Sequence, residues 1–137
     1  MSNQLLVSAT VNAGTKKVWE SYTSPAHIVN WNFADDSWHC PSASNDLQPG
    51  GKYVARMEAK DGSFGFDFEA VYDEVKPGEK IVYTMTDGRR AQVEFAGNEL
   101  QTEVKVWFDP ENMNPHELQQ GGWQAILNSF KHYTEKL

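Results

Sequence analysis

The 137-residue chain has the size of one ordinary domain, large enough for a hydrophobic core and too small for two, so residues 1–137 are expected to form a single unit. Nineteen Asp and Glu against twelve Lys and Arg leave a formal net charge of -7; a surface of that sign repels phosphate backbones and anionic lipid, which excludes nucleic acid and membrane surfaces as partners. No run approaches the roughly 18 apolar residues of a membrane span, and Met1-Ser2-Asn3-Gln4 lacks the basic start of a signal peptide, so a cytoplasmic protein is expected.

Leu5, Val7, Ala9 and Val11 alternate with Leu6, Ser8, Thr10 and Asn12, which predicts a half-buried first strand. Beyond Gly14, the spacing of Val18, Trp19 and Tyr22 predicts a short helix capped near Asn12 or Thr15. Ser24-Pro25 reads as an N-cap followed by a first-turn proline and opens a second short helix through Ala26, Ile28 and Val29. From Asn32 to Gly50 periodicity is lost, and Pro41, Ser42, Ser44, Asn45, Asp46, Pro49 and Gly50 predict a long irregular loop, of a kind that is usually functional or mobile. Cys40, the lone cysteine, leaves no internal disulfide.

The turn signals Asp61-Gly62, Pro77-Gly78, Asp87-Gly88 and Gly97-Asn98 then separate strands at about 51–60, 66–76, 80–86, 90–96 and 100–109, an antiparallel meander. One face carries Tyr53, Ala55, Met57 and Ala59, Phe66, Phe68, Ala70 and Tyr72, Ile81, Tyr83 and Met85, Ala91, Val93 and Phe95, and Val104, Val106 and Phe108. The other carries Lys52, Arg56, Glu58, Asp67, Glu69, Glu94, Glu103 and Lys105, so one side is wet and the dry side needs a covering layer.

Asn114-Pro115-His116-Glu117 supplies the start of that layer, with Asn as N-cap and Pro in the first turn of a helix running to the C-terminus. Trp123, Ile126, Phe130, Tyr133 and Leu137 gather on one stripe, and Glu117, Gln124, Asn128, Lys131 and Glu135 lie opposite. Gln119 falls within the apolar stripe, where an amide without partners would cost about 1–3 kcal/mol; it is either solvated past the sheet's edge or aimed at a pocket mouth. Gly121-Gly122 costs the helix roughly 1 kcal/mol per glycine, consistent with a bend, a close approach to the sheet, or space for a ligand. The fold class is therefore α+β: a curved antiparallel sheet of about six strands wrapped around a long C-terminal helix.

Five tryptophans exceed what a core of this size needs for packing. Phe66 and Phe68 beside Ala70, and Ala55 and Ala59 flanking Met57, place large rings next to gaps. Trp31, Phe33, Trp38 and His39 are expected to fold over the open end as an aromatic lid, or to form a satellite cluster under the loop.

The element order and the strings Val18-Trp19, Ile28-Val29-Asn30-Trp31, Gly50-Gly51-Lys52-Tyr53, Asp61-Gly62, Glu74-Val75-Lys76-Pro77, Ile81-Val82-Tyr83-Thr84 and Gly122-Trp123 resemble the START-like helix-grip (SRPBCC) superfamily. Within it the chain is similar to bacterial relatives of the domain that activates the ATPase of the ninety-kilodalton heat-shock protein (AHSA-like). The resemblance covers nearly the whole chain and implies a sheet gripping the terminal helix around a cavity for hydrophobic small molecules. Relatives often carry His three residues before Gly-Trp, where this chain has Gln119.

No catalytic set assembles in the sequence. His39 and Cys40 are adjacent and point apart on an extended chain; Asp35, Asp36, His39 and Cys40 have no second ligand pair at metal spacing; Gly50-Gly51 precedes a strand rather than a phosphate-binding helix. No metal and no cofactor is expected. The expected function is to bind a small hydrophobic or aromatic molecule as a carrier or sensor. Its site is expected to use Trp31, Trp38, His39, Tyr53, Phe66, Phe68, Tyr72, Tyr83, Gln119, Trp123 and Phe130, in a monomer or weak homodimer. Two alternatives stay open: a polyketide cyclase-like or hydrolase-like enzyme using the same cavity, and a module that binds a chaperone through the wet sheet face.

Overall fold

Glycine turns and apolar alternation convert the middle of the chain into a continuous meander. The computed structural model describes residues 4–137. Its strands are β1 (Leu5–Val11), β2 (Trp38–Asn45), β3 (Lys52–Ala59), β4 (Gly65–Lys76), β5 (Lys80–Met85), β6 (Arg90–Gly97) and β7 (Thr102–Phe108), and its helices α1 (Thr15–Thr23), α2 (Pro25–Ile28) and α3 (His116–Glu135). All strand pairs are antiparallel, in the order β1-β7-β6-β5-β4-β3-β2. The predicted inner face is the core face: Ala55, Ala70, Ala91, Val93, Val104, Val106 and Phe108 are almost fully buried.

The sheet has seven strands rather than about six, because Trp38–Asn45, read as loop, pairs with β3. Its alternation is masked by a bulge between His39 and Ser42 that holds Cys40 and Pro41. Proline has no N–H to give a ladder and is tolerated at a bulge on an edge strand. The strand is weakly apolar because it lies at the sheet edge beside α2, with Val29 and Phe33 packed against the Cys40, Ala55 and Met57 cluster.

Two helix starts also differ from expectation. Gly14, not Asn12 or Thr15, is the N-cap of α1, and Pro115, not Asn114, is the N-cap of α3. Asn114 is held by Glu111, whose carboxylate accepts from the Met113 N–H at 3.1 Å and the Asn114 N–H at 2.7 Å. The buried set on α3 is Leu127, Phe130 and Thr134, with Trp123, Ile126 and Tyr133 partly buried against the core and Leu137 50% exposed. The stripe is thus rotated towards Leu127 and Thr134, since the helix must face α1 as well as the sheet.

The stripe opposite is not simply solvated. Gln120 Nε2 donates to the Leu6 carbonyl at 2.8 Å, and Gln124 both accepts from the Ser8 N–H at 3.3 Å and donates to its carbonyl at 2.9 Å. Lys131 Nζ donates to the Thr10 carbonyl at 2.8 Å, and Glu135 accepts from the Asn12 N–H at 2.8 Å. Four helix residues advance about 6 Å and two strand residues about 6.6 Å, so Gln120 and Gln124, and again Lys131 and Glu135, each four apart, meet chain positions two apart on β1 and at its end. That occupies polar groups of an edge strand that would otherwise be free to pair with another chain.

Glu135 is held below the usual glutamate range, first by the Lys131 ammonium at 2.6 Å and then by the Asn12 N–H. A carboxyl with a lowered folded-state pKa stabilises the fold above its ordinary value and loses that contribution as pH falls through the lowered one. Glu135→Gln is therefore expected to flatten the acid limb of a stability–pH curve below the ordinary value of 4.5. Urea unfolding at successive pH values measures it, and an unchanged acid slope would show the clamp contributes nothing.

Candidate functional site

The helix runs along β1 and crosses α1, while its apolar face stands away from β3, β4 and β5. Between them lies a cavity of about 300 Å³. Tyr53 and Met57 from β3, Phe66, Phe68 and Tyr72 from β4, and Ile81 and Tyr83 from β5 line the sheet side. Tyr22 and Thr23 at the end of α1, Trp31 and Asn32 after α2, and Trp123, Ile126 and Leu127 from α3 line the other, with Val106 of β7 and Arg89 of the β5–β6 turn.

Register explains the open space. Across β3 and β4, Tyr53 stands opposite Ala70 and Ala55 opposite Phe68, and across β5 and β6 Tyr83 stands opposite Ala91. Rings beside alanines leave volume that a uniformly large set would fill. Trp123 holds the helix end of the gap, its ring stacked on Phe108 at 4.1 Å and nearly parallel. Tyr72 is fixed by its hydroxyl donating to Asn45 Oδ1 at 2.6 Å, and Asn45 Nδ2 donates to the Thr23 carbonyl at 2.6 Å. Trp31 is fixed by its indole N–H donating to the Ser21 carbonyl at 2.9 Å.

Burial pushes the phenols of Tyr22, Tyr53, Tyr72 and Tyr83 upward, so all four are neutral at physiological pH. Burial likewise raises the Cys40 thiol and keeps it protonated. Among the described residues no group of three or more His, Cys, Asp or Glu is placed to hold a metal ion, and none of the helices is long and apolar enough to cross a membrane. The arrangement is an apolar, ring-lined chamber with neutral hydroxyls.

The family model of the "Activator of Hsp90 ATPase homolog 1-like protein" matches residues 12–135. The chain belongs to the AHSA1-like family. A solution structure of an AHSA1-like protein from Aeromonas hydrophila is 36% identical with a TM-score of 0.87, covering 96% of this chain and 93% of that one. A solution structure from Cytophaga hutchinsonii is 50% identical with a TM-score of 0.84, covering 98% and 94%. A crystal structure from Nitrosomonas europaea shares the fold at 16% identity, with a TM-score of 0.82 over 97% and 94% of the two chains. No curated protein sequence matches the chain.

In this AHSA1-like chain seven of the sequence-predicted site residues, Trp31, Tyr53, Phe66, Phe68, Tyr72, Tyr83 and Trp123, line the cavity. Four lie elsewhere. Trp38 is on β2, edge-on to Phe64 and Phe66 at 6.0 and 6.1 Å, and forms no lid. His39 follows it on the opposite face, with Nε2 3.7 Å from Glu58 Oε1. Gln119 is closed onto its own loop: Oε1 accepts from the Glu111 N–H at 2.8 Å, and Nε2 donates to the Glu111 and Asn114 carbonyls at 3.1 and 2.8 Å. Phe130 is fully buried behind the wall, 5.0 Å from both Tyr22 and Trp31.

Nine further lining residues carry no site role in the sequence reading: Tyr22, Thr23, Asn32, Met57, Ile81, Arg89, Val106, Ile126 and Leu127. Leu127 is legible, four residues after Trp123 and three before Phe130, and Tyr22, Met57, Ile81, Val106 and Ile126 fall on apolar faces whose pattern does not separate a wall of the cavity from solid core. Asn32 and Arg89 carry no pattern of their own and reach the cavity only through tertiary structure. Gly121 and Gly122 serve neither a close approach nor a contact, since a Cβ built on either meets nothing within 4 Å.

Proposed function

We propose that this AHSA1-like chain binds a small, mostly apolar or aromatic molecule between sheet and helix, as a carrier or sensor. The observation that carries the reading is the aromatic chamber of about 300 Å³, which is of the size and character of small-molecule sites and too large to be a packing fault in an interior at crystal density. The test is native mass spectrometry of protein purified from its own host, followed by thermal unfolding with the molecule it retains. A bound molecule that raises the melting temperature with its concentration and is recovered unchanged supports a carrier; recovery of an altered product replaces this reading with an enzyme using the same cavity. Absence of any retained molecule, together with no melting shift from small aromatic probes, would sink it.

The family description favours a second reading, a module that acts on a heat-shock ATPase. Its surface would be the outer sheet face, where Arg56 pairs with Glu58 at 2.9 Å and Asp67 at 3.4 Å, and Lys52 with Glu69 at 3.0 Å. Pull-down of the chaperone, lost on charge reversal of Arg56, Glu58 and Glu69, would support it.

A further inference from the structure

Three rings at one end of the sheet form a closed triangle on the surface. Trp38 of β2 stands 6.0 Å from Phe64 and 6.1 Å from Phe66, and Phe64 and Phe66 stand 5.9 Å from each other. Phe64 lies in the β3–β4 turn and Phe66 on β4, and despite that packing they stay 60% and 42% exposed. Large apolar side chains at a hairpin tip are costly to leave in water, and a contiguous cluster of them, unlike scattered single ones, marks a contact surface.

The charges around the rings are mostly of one sign. The segment before β2 and the β3–β4 turn are laced together: the Lys60 N–H donates to the Ser37 carbonyl at 2.8 Å, the Trp38 N–H to the Asp35 carbonyl at 3.3 Å and the Ala59 N–H to the Phe64 carbonyl at 2.9 Å. Asp35 and Asp36 stand three and two residues before Trp38, and Asp61 three before Phe64, against the single ammonium of Lys60. The Asp35 and Asp61 carboxylates are fixed in place, accepting from the Ser37 and Ser63 N–H groups at 2.8 Å each, and the serine hydroxyls and amides hold both below the usual carboxylate range. Arg56 reaches the backbone between Phe64 and Phe66, where its Nη2 would lie 2.6 Å from a Cβ on Gly65. Its guanidinium is already shared by Glu58 at 2.9 Å and Asp67 at 3.4 Å, so this neighbour adds two carboxylates for one cation.

We propose that the Trp38, Phe64 and Phe66 triangle, with its carboxylate rim, docks a basic segment of another protein, a lysine- or arginine-rich stretch carrying an aliphatic anchor. The anchor covers the rings, and the flanking cations lie over ring faces and against the carboxylates. The rim disfavours a second copy of this chain, since a twofold contact sets Asp35, Asp36 and Asp61 against the same residues of the copy. Phe66 also lines the chamber, but the docking surface is independent of whatever the chamber holds.

A fluorescein-labelled peptide, KKLLKKLLKK, titrated into the intact chain tests this, with EELLEELLEE and KKSSKKSSKK as controls. The parent is expected to bind KKLLKKLLKK at low ionic strength at least about tenfold more tightly than either control, with amide chemical-shift changes centred on residues 35–38 and 60–66. Phe64→Ser is expected to weaken the peptide at least about fivefold, and the Asp35→Asn/Asp36→Asn/Asp61→Asn variant at least about tenfold with a shallower dependence on salt. Should Phe64→Ser lack a cooperative melt, the triple aspartate variant, which keeps all three rings, decides alone. No binding by the parent, equal binding of either control, shifts centred elsewhere, or full affinity in either variant overturns the docking site. So does concentration-dependent dimerisation of the parent that Phe64→Ser abolishes, which assigns the rings to a second copy. Each of these results leaves the cavity-binding reading standing.

Discussion

Phe130→Ala is expected to lower the unfolding free energy by about 3–5 kcal/mol, the cost of emptying a fully enclosed aromatic site. Phe130 has no exposed surface and meets Tyr22 and Trp31 edge-on, each at 5.0 Å. Those two rings also line the chamber, so the void would be divided from it only by side chains that have lost their support. Two outcomes should appear together. Guanidinium unfolding should show a lower midpoint with an unchanged slope, the mark of lost stability rather than altered compactness, and a three-ring hydrocarbon such as phenanthrene should gain affinity relative to naphthalene as the two spaces merge. A loss under about 1 kcal/mol would mean the site collapses easily and the wall is not rigid. That result would weaken any claim that the chamber's shape selects its ligand.

What the sequence made legible, and what it hid, follows from where the cause of each feature lies. The strands from β3 to β7 announce themselves because alternation with a period of two and glycine-bearing turns are local. The register of Tyr53 on Ala70 and Tyr83 on Ala91 then places rings beside gaps, so the chamber's sheet side was readable. β2 was hidden because its bulge breaks the alternation between His39 and Ser42; once that strand is recognised, His39 must point away from Trp38's side, which removes it from the lid. Gln119 stands out on the helical wheel, but its partners are neither solvent nor a pocket: they are the backbone of Glu111 and Asn114 in the preceding loop, and no helix pattern encodes a loop that folds back. Arg89 and Asn32 reach the chamber through packing alone, and no local signal for them exists.

Gly51→Ala and Gly121→Ala are expected to shift stability in opposite directions, although each adds the same single methyl group. At Gly51 the added Cβ would lie 2.0 Å from the Asp46 carbonyl oxygen, a backbone atom that cannot swing aside, so the tight loop must open at a cost of about 1–3 kcal/mol or more. That loop is joined to the chamber: the Gly50 N–H donates to the Tyr72 carbonyl at 2.8 Å and the Tyr72 N–H to the Gly51 carbonyl at 3.0 Å. Tyr72 in turn holds Asn45, and Asn45 holds the end of α1 at Thr23. Displacing Gly51 therefore pulls on the wall itself, and binding of a small aromatic probe such as naphthalene, measured well below the melting transition, should weaken along with stability. At Gly121 a Cβ meets nothing, so the substitution changes only helix propensity and should add up to about 1 kcal/mol. Thermal unfolding of the two variants beside the parent decides the matter. If Gly51→Ala melted with the parent and bound the probe equally well, the loop would have slack that its hydrogen bonds to Tyr72 do not show, and the coupling between the glycine turn and the chamber would be lost as an explanation of why Gly50-Gly51 stands at that place.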